Sequence, residues 1–386
     1  MEFSVPTNWQ KGLIQYLSAR NGKEEIGEVY GKLGVDSVGG GRAASALAFV
    51  SKSQAREHIS QLRNHGYRFS YLLNAICMDN LEFTRQGQRE LRRLLEWLAK
   101  IKVDSVTVAN PYLLMWIKKN YPDISVSVSA MANVDSLNRA KFWESLGADK
   151  ITFPGPFVNR NLKLIRLMRK SLKCKMQLIA NNGCQKQCPN FINHALMSCH
   201  GSQNRHKGYI FDYYVAMCRM NRLQSPVNFI FSDWIRPEDI YFYEKLGIDS
   251  IKIVDRRLPT HLILKILGAY LNRSYKGNLM DLLANFYGVS FNAHKGWITK
   301  LFYLLPSIPV NPIKLLRYSK VLSKLEVFID NKSLDGFLEN IPERCDLMSC
   351  DDCGYCMGIA AKAVKIDKSY SEDKIRQHKK VMDSLF

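Results

Sequence analysis

No stretch of this chain is long and apolar enough to span a bilayer. A spanning helix needs about twenty apolar residues. The most apolar late stretch, "LFYLLPSIPV", is ten residues long and broken by prolines. The first residues, "MEFSVPTNWQKGLIQYLSAR", lack a basic segment followed by an apolar run, so a secretory leader is not expected. These absences predict a soluble, cytoplasmic protein without a membrane span. Peptidase signatures of the HExxH and GxSxG kinds are also missing. "GGGRAAS" has three adjacent glycines but not the spacing of a dinucleotide-binding turn. There is no internal repeat and no low-complexity tract. Acidic residues are scarce: 35 Asp and Glu stand against 55 Lys and Arg, for a formal charge of +20. Such an excess suits an anionic partner, whether RNA, an anionic membrane surface or an acidic small molecule.

What is present has the balance of a globular chain, 46% hydrophobic and 23% charged over 386 residues. Residues 1–275 repeat one theme, a short β-branched run followed by an amphipathic helical stretch. The runs are "EFSV", "FSYLLNA", "DSVTVA", "ISVSVS", "KITF", "KMQLIA", "NFIFS" and "SIKIV", with "EVYG" as a weaker candidate. Helical stretches fall at 85–101, 135–146, 159–171 and 236–246. Alternating strands and helices argue for a parallel sheet covered by helices. Eight or nine units in this length predict a TIM-like (β/α)8 barrel. An irregular insert, 181–226, interrupts the pattern after "KMQLIA". It therefore leaves the C-terminal end of a strand, where barrel enzymes carry their sites. Residues 276–386 are expected to form a helical, basic and irregular extension.

The chain has ten cysteines, and eight fall in two groups. In a reducing compartment, clustered cysteines point to metal rather than to disulfides. The C-terminal group, Cys345, Cys350, Cys353 and Cys356, is compressed in "CDLMSCDDCGYC". That spacing favours an iron–sulfur cluster over the longer loops of a zinc ribbon, with zinc as the runner-up. The insert carries Cys184, Cys188, Cys199 and Cys218. Cys184 and Cys188 resemble the start of a radical S-adenosylmethionine signature, but Phe191 stands where its third cysteine would be. Polar residues at strand ends are candidates for clamping a carboxylate or phosphate: Arg42, Asn74, Arg160, Arg236 and Lys252. "WIRPED" reads equally well as a helix opening, with Glu238 and Asp239 on its N-terminal dipole.

The ordered set "GGGRAAS", "YLLNAICMDN", "TVANPYLL", "VSVSAMANV", "ADKITFPGPFVNRN", "ANNGCQKQCPNFINH", "SDWIRPEDIYFYEKLGIDSIKIVDR" and "YKGNL" resembles the collagenase-like peptidase family U-32 over residues 25–280. The resemblance implies a TIM-barrel-like domain that, despite the family name, is often not proteolytic. Its better understood members are iron–sulfur proteins of oxygen-independent hydroxylation, acting in anaerobic ubiquinone synthesis or on tRNA or ribosomal RNA. Prephenate is implicated there as oxygen donor. Such members hold a 4Fe-4S cluster on four cysteines of the barrel region. The matching positions are Cys184 and Cys188, with Cys218 as third and Cys199 as candidate fourth. The spacing in the insert differs from those members, and the C-terminal cysteine segment lies outside their pattern.

These observations predict an iron–sulfur enzyme with one 4Fe-4S cluster at the barrel mouth. A second, held by the C-terminal segment, would pass electrons or dock a redox partner protein. A single shared centre built from both groups is the other arrangement. Two rival functions stay open: an RNA-binding or maturation accessory protein with structural clusters, and a peptidase.

Overall fold

The computed structural model describes residues 1–20, 25–203, 213–287, 321–342, 345 and 350–384, apart from the side chains of Ser45, Cys350 and Asp351. Eight parallel strands close into a barrel in chain order. They are β1 Glu2–Pro6, β2 Ile26–Gly31, β3 Phe69–Leu73, β4 Ser105–Val108, β5 Ser125–Val128, β6 Lys150–Thr152, β7 Lys175–Ile179 and β8 Ser250–Lys252. β8 returns to β1, with Phe3 opposite Ile251 and Ser4 opposite Lys252. The architecture is the predicted TIM-like (β/α)8 fold.

Side chains alternate along each strand. Phe3, Val29, Phe69, Tyr71, Val106, Val126, Ile151, Met176 and Ile251 form one apolar set, buried against the surrounding helices. The alternate set is polar. Lys150 of β6 reaches Glu28 of β2 at 2.7 Å, and these strands are not neighbours, so the bond crosses the lumen. Ser4 donates to the same carboxylate at 2.8 Å. Thr152 donates to Gln177 at 2.8 Å, and Gln177 to Ser250 at 3.0 Å. Many barrels fill this space with branched aliphatics. Here a hydrogen-bonded polar layer supports the floor of the mouth.

One expectation changes. "NFIFS" is not a strand: Val227–Ile230 forms a helical turn after Pro226, with Phe229 and Ile230 in the core. A short apolar run has no period to separate strand from buried helix. "EVYG", the weaker candidate, belongs to β2, which is buried throughout. The extension, expected to be helical and irregular, lies in part outside the described residues. Strands β9 (Phe328–Ile329) and β10 (Val364–Lys365) pair antiparallel, and the helices Tyr355–Ala363 and Lys368–Asp383 accompany them. Leu325, Val327, Ile329, Phe337 and Ala363 share one core with the barrel. Asn278 fastens the junction, donating to the Val327 carbonyl at 2.8 Å and accepting from the Ile329 N–H at 2.8 Å. The helix Lys368–Asp383 packs on the insert helix Tyr213–Gln224, where Ala216, Val321, Leu322, Val381 and Met382 form a second apolar cluster. Among the described residues, no helix is long and apolar enough to cross a membrane.

The helix Lys52–Asn64 buries His58, whose Nε2 lies 2.8 Å from Thr7 Oγ1. Burial holds the imidazole neutral, lowering its pKa to about 4. The unfolded chain binds this proton more readily than the fold does, so stability is present above pH 6.5 and lost as pH falls towards 4. The loss attributable to this group should be on the order of 3 kcal/mol. Thermal unfolding across that window should show a shallower pH dependence for His58→Gln. Identical slopes for both proteins would remove His58 from the acid sensitivity.

Candidate functional site: a cationic, thiol-lined barrel mouth

The loops after the strands enclose a cavity of about 300 Å³ at the C-terminal end of the barrel. Its lining comes from successive strand ends: Tyr30, Arg42, Asn74, Ser129, Thr152, Asn182 and Lys252. Among the described residues, the wall carries Arg42, Arg219, Lys252, Arg256 and Arg257 against one carboxylate, Asp255. Asp255 accepts from Arg42 and from Arg257, each at 2.8 Å. Although burial alone would raise its pKa, these two guanidiniums hold the carboxylate well below its ordinary range. Arg256 is buried and spends one donor on the Lys32 carbonyl at 3.4 Å. Lys252 Nζ lies 3.9 Å from the centroid of the Tyr30 ring. Burial lowers its pKa to about 7, opposed by the nearby Glu28 carboxylate. Asn74 is oriented by its bond to Ser129 at 3.0 Å and accepts from the Gly41 N–H at 3.3 Å.

The glycine loop leaves no room for side chains. Gly39 has φ +90°, and a Cβ there would lie 2.7 Å from Gln203 Cγ. Asp36 caps the turn by accepting from the Val38 and Gly39 N–H groups at 3.1 and 2.7 Å. The Gly40 N–H then reaches Ser202 Oγ at 2.6 Å, tying this loop to the insert.

The insert supplies the thiols. Its first residues run antiparallel to 231–233: Asp233 N–H donates to the Cys184 carbonyl at 2.9 Å, and Lys186 N–H to the Phe231 carbonyl at 3.2 Å. Cys184 and Cys188 line the mouth. Cys218 joins them from the helix Tyr213–Gln224, and Arg222, one turn on, donates to its sulfur and to Ser232 Oγ. Burial pushes the Cys184 thiol up, as do neighbouring Asp233, Cys218 and Cys188. Cys188 is raised chiefly by burial too. Asp233 is itself pushed up to about 6 by burial and accepts from Asn182 at 2.9 Å.

The structure divides the remaining sequence candidates. Arg42, Asn74 and Lys252 line the mouth; Arg160 and Arg236 do not. Arg236 is a buried anchor, bidentate to Asp239 at 3.0 and 2.9 Å and bonded to Asp335 at 3.1 Å. Cys199 is also absent from the mouth lining. It lies in the apolar core, accepts from the Ile76 N–H at 3.4 Å, and is pushed up to about 12 by burial. Arg160 lines a second, small cavity with Cys345, Cys353 and Cys356. Cys350 opens a helical turn, and its side chain lies outside the described residues. The basic face of the helix Leu162–Ser171 is exposed at Lys163, Arg166 and Lys170. Sequence reasoning did not select Tyr30, Asp255 or Arg257, although each sits at or just beyond a strand end.

Among the described residues, no three His, Cys, Asp or Glu side chains stand close enough to share one metal ion. The mouth thiols line one cavity of about 300 Å³. Their chemistry suits an iron–sulfur centre: soft donors select such groups, and the raised thiols would release protons on binding.

Residues 28–180, from β2 through β7, match the model of peptidase family U32. An uncharacterized protease of Methanocaldococcus jannaschii, MJ1657, is 30% identical over 345 residues, spanning 89% of this chain and 90% of that protein. The chain belongs to peptidase family U32. The solved structure of the U32 peptidase Mk0906 is 20% identical, covers 66% of this chain and 92% of its own, and superposes with a TM-score of 0.49. Most thiols and cations of this U32 chain's mouth lie beyond the family match, in residues 181–257.

Lys252 should titrate near neutrality, unlike surface lysines. Methylated with a carbon-13 label, it should show a midpoint near pH 7, and Lys252→Met should delete that resonance. A midpoint above about 9, in the ordinary lysine range, would show that the mouth does not desolvate this cation.

Proposed function

We propose that this U32 chain is a non-proteolytic iron–sulfur enzyme. Cys184, Cys188 and Cys218 would hold a 4Fe-4S cluster at the barrel mouth, and an anionic small molecule would sit against Lys252 and Arg256. One observation carries the reading: three insert thiols and five cationic side chains line the same 300 Å³ cavity at the catalytic end of the barrel. Bound there, a cluster would supply one-electron chemistry beside the substrate. The chain's own residues do the rest. Arg256 and Lys252 offer charge-assisted donors to a carboxylate. Asp255 holds Arg42 and Arg257 in place. Arg222 and Asn285 approach the sulfurs of Cys218 and Cys184 as donors that favour thiolate. The reaction class that fits is oxygen-independent hydroxylation, as the family resemblance implies.

Protein purified without oxygen, or reconstituted with ferrous iron and sulfide, should show broad visible absorbance and a reduced-state paramagnetic signal. Cys184→Ser, Cys188→Ser and Cys218→Ser should each lose the mouth's share of iron. Arg256→Met should keep the iron but weaken carboxylate binding by about tenfold or more, the worth of a charged hydrogen bond. Full iron content in all three cysteine variants would overturn the cluster. Hydrolysis of a peptide substrate that disappears in Cys188→Ala would overturn the non-proteolytic reading.

A further inference from the structure

Lys252 ends β8, the last strand of the barrel, and lines the mouth cavity. It is only 8% exposed. Among the described residues its Nζ makes no hydrogen bond and no ion pair, and it lies 3.9 Å from the centroid of the Tyr30 ring. The carboxylate that could neutralise it, Glu28 of β2, is already engaged. Glu28 accepts from Lys150 at 2.7 Å and from Ser4 at 2.8 Å. The other charged groups acting on Lys252 are Lys150 of β6 and Arg256 beyond β8, and both oppose its charge. A lysine that is desolvated and set beside other cations holds an uncharged, nucleophilic amine near neutral pH. Burial chiefly, with these two cations, brings Lys252 to about 7 against the pull of Glu28. Its uncharged fraction at neutral pH is then about a thousandfold larger than that of a surface lysine. A lysine that only bound an anion would do so best fully charged, and four guanidiniums already line this wall.

The geometry points to Lys252 as a nucleophile that captures the carbonyl carbon of a small oxo acid as an imine, with the acid's carboxylate on Arg256. This rests on the anion site proposed above and not on the cluster. Arg256 is buried, four residues beyond Lys252, and lines the same cavity. Among the described residues its one hydrogen bond goes to the Lys32 carbonyl at 3.4 Å, which leaves the rest of the fork for a carboxylate. The cavity of about 300 Å³ is at the small end for ligand sites, so the acid must be compact. In the reaction, the uncharged amine adds to the carbonyl carbon, forming a C–N bond while the C–O π pair moves to oxygen. Both amine protons leave with that oxygen as water, and C=N replaces C=O. No electron is transferred, so neither oxidant nor reductant is needed. A proton taken up by the imine nitrogen would place its charge over the Tyr30 ring, a cation–π seat. Tyr30 is held there by its hydroxyl, which donates to the Ile253 carbonyl at 2.7 Å.

The full chain incubated with pyruvate and cyanoborohydride near neutral pH provides the test. Hydride from the reagent turns the imine into a stable carboxyethyl amine. Peptide mass spectrometry should find that group on Lys252 at about tenfold or more the level on any surface lysine. Lys252→Arg keeps a cation there and should lose the label. Should that variant fail to fold, the wild-type peptide map still decides, since it identifies the labelled lysine directly. Arg256→Met should need about tenfold or more pyruvate for the same labelling, the worth of a charged hydrogen bond. Acetone, which has no carboxylate, should label wild type and Arg256→Met to a similar extent. No label on Lys252, or label spread evenly over surface lysines, would overturn the proposal. Pyruvate labelling of Lys252 that is indifferent to Arg256→Met would overturn the oxo acid as its ligand class. Failure of the cluster reading has a different signature: full iron content in the Cys184→Ser, Cys188→Ser and Cys218→Ser variants, with Lys252 labelling left in place.

Discussion

The pairing of residues 184–186 with 231–233 decides how the rest of the molecule is used. Here one short segment separates two cavities across a thin wall. Cys184 faces the mouth and Lys186 faces the C-terminal cavity, fixed by the bonds between Asp233 N–H and the Cys184 carbonyl and between Lys186 N–H and the Phe231 carbonyl. Asp233 stands at the same wall, close enough to influence Cys184 on one side and Arg160 on the other. The two cysteine groups, distant in sequence, are thus neighbours without sharing a cavity.

Charge is the second theme. The barrel lumen holds one carboxylate, Glu28, against Lys150 and Lys252, and burial raises its pKa less than these cations lower it. Above it, among the described residues, the mouth has four guanidiniums and Lys252 with only Asp255 to answer them. Such a surplus in a partly desolvated cavity favours binding an anion, and the low local dielectric strengthens the attraction. The thiols behave in the opposite sense. Burial favours the protonated form of Cys184 and Cys188. A cationic wall facing neutral soft donors is consistent with a site completed by an anionic substrate and a thiolate-bound cofactor.

Much of the fold was legible in the sequence because eight buried strands leave short apolar runs between amphipathic helices. The misreadings came where the local signal is ambiguous. "NFIFS" is apolar enough for a strand, but Pro226 and the closed barrel leave it a helical turn. The site was legible only in part. Arg42, Asn74, Lys252 and three of the four insert cysteines reach the mouth because they follow strand ends or the insert helix. Arg160 and Arg236 also follow strand-like positions, yet their guanidiniums turn into the protein, one onto Trp234 and the other onto Asp239. Spacing gives no hint of that, and it equally failed to separate Cys199, a core residue on the insert's first helix, from its three neighbours. Tertiary packing decides such cases.

Diffraction from anaerobically grown crystals, measured on both sides of the iron absorption edge, tests the central claim most directly. An anomalous iron peak should appear inside the barrel mouth, bonded to Cys184, Cys188 and Cys218. A mouth with no iron peak, while the protein in solution carries its full complement of iron, would contradict the assignment of these thiols as cluster ligands.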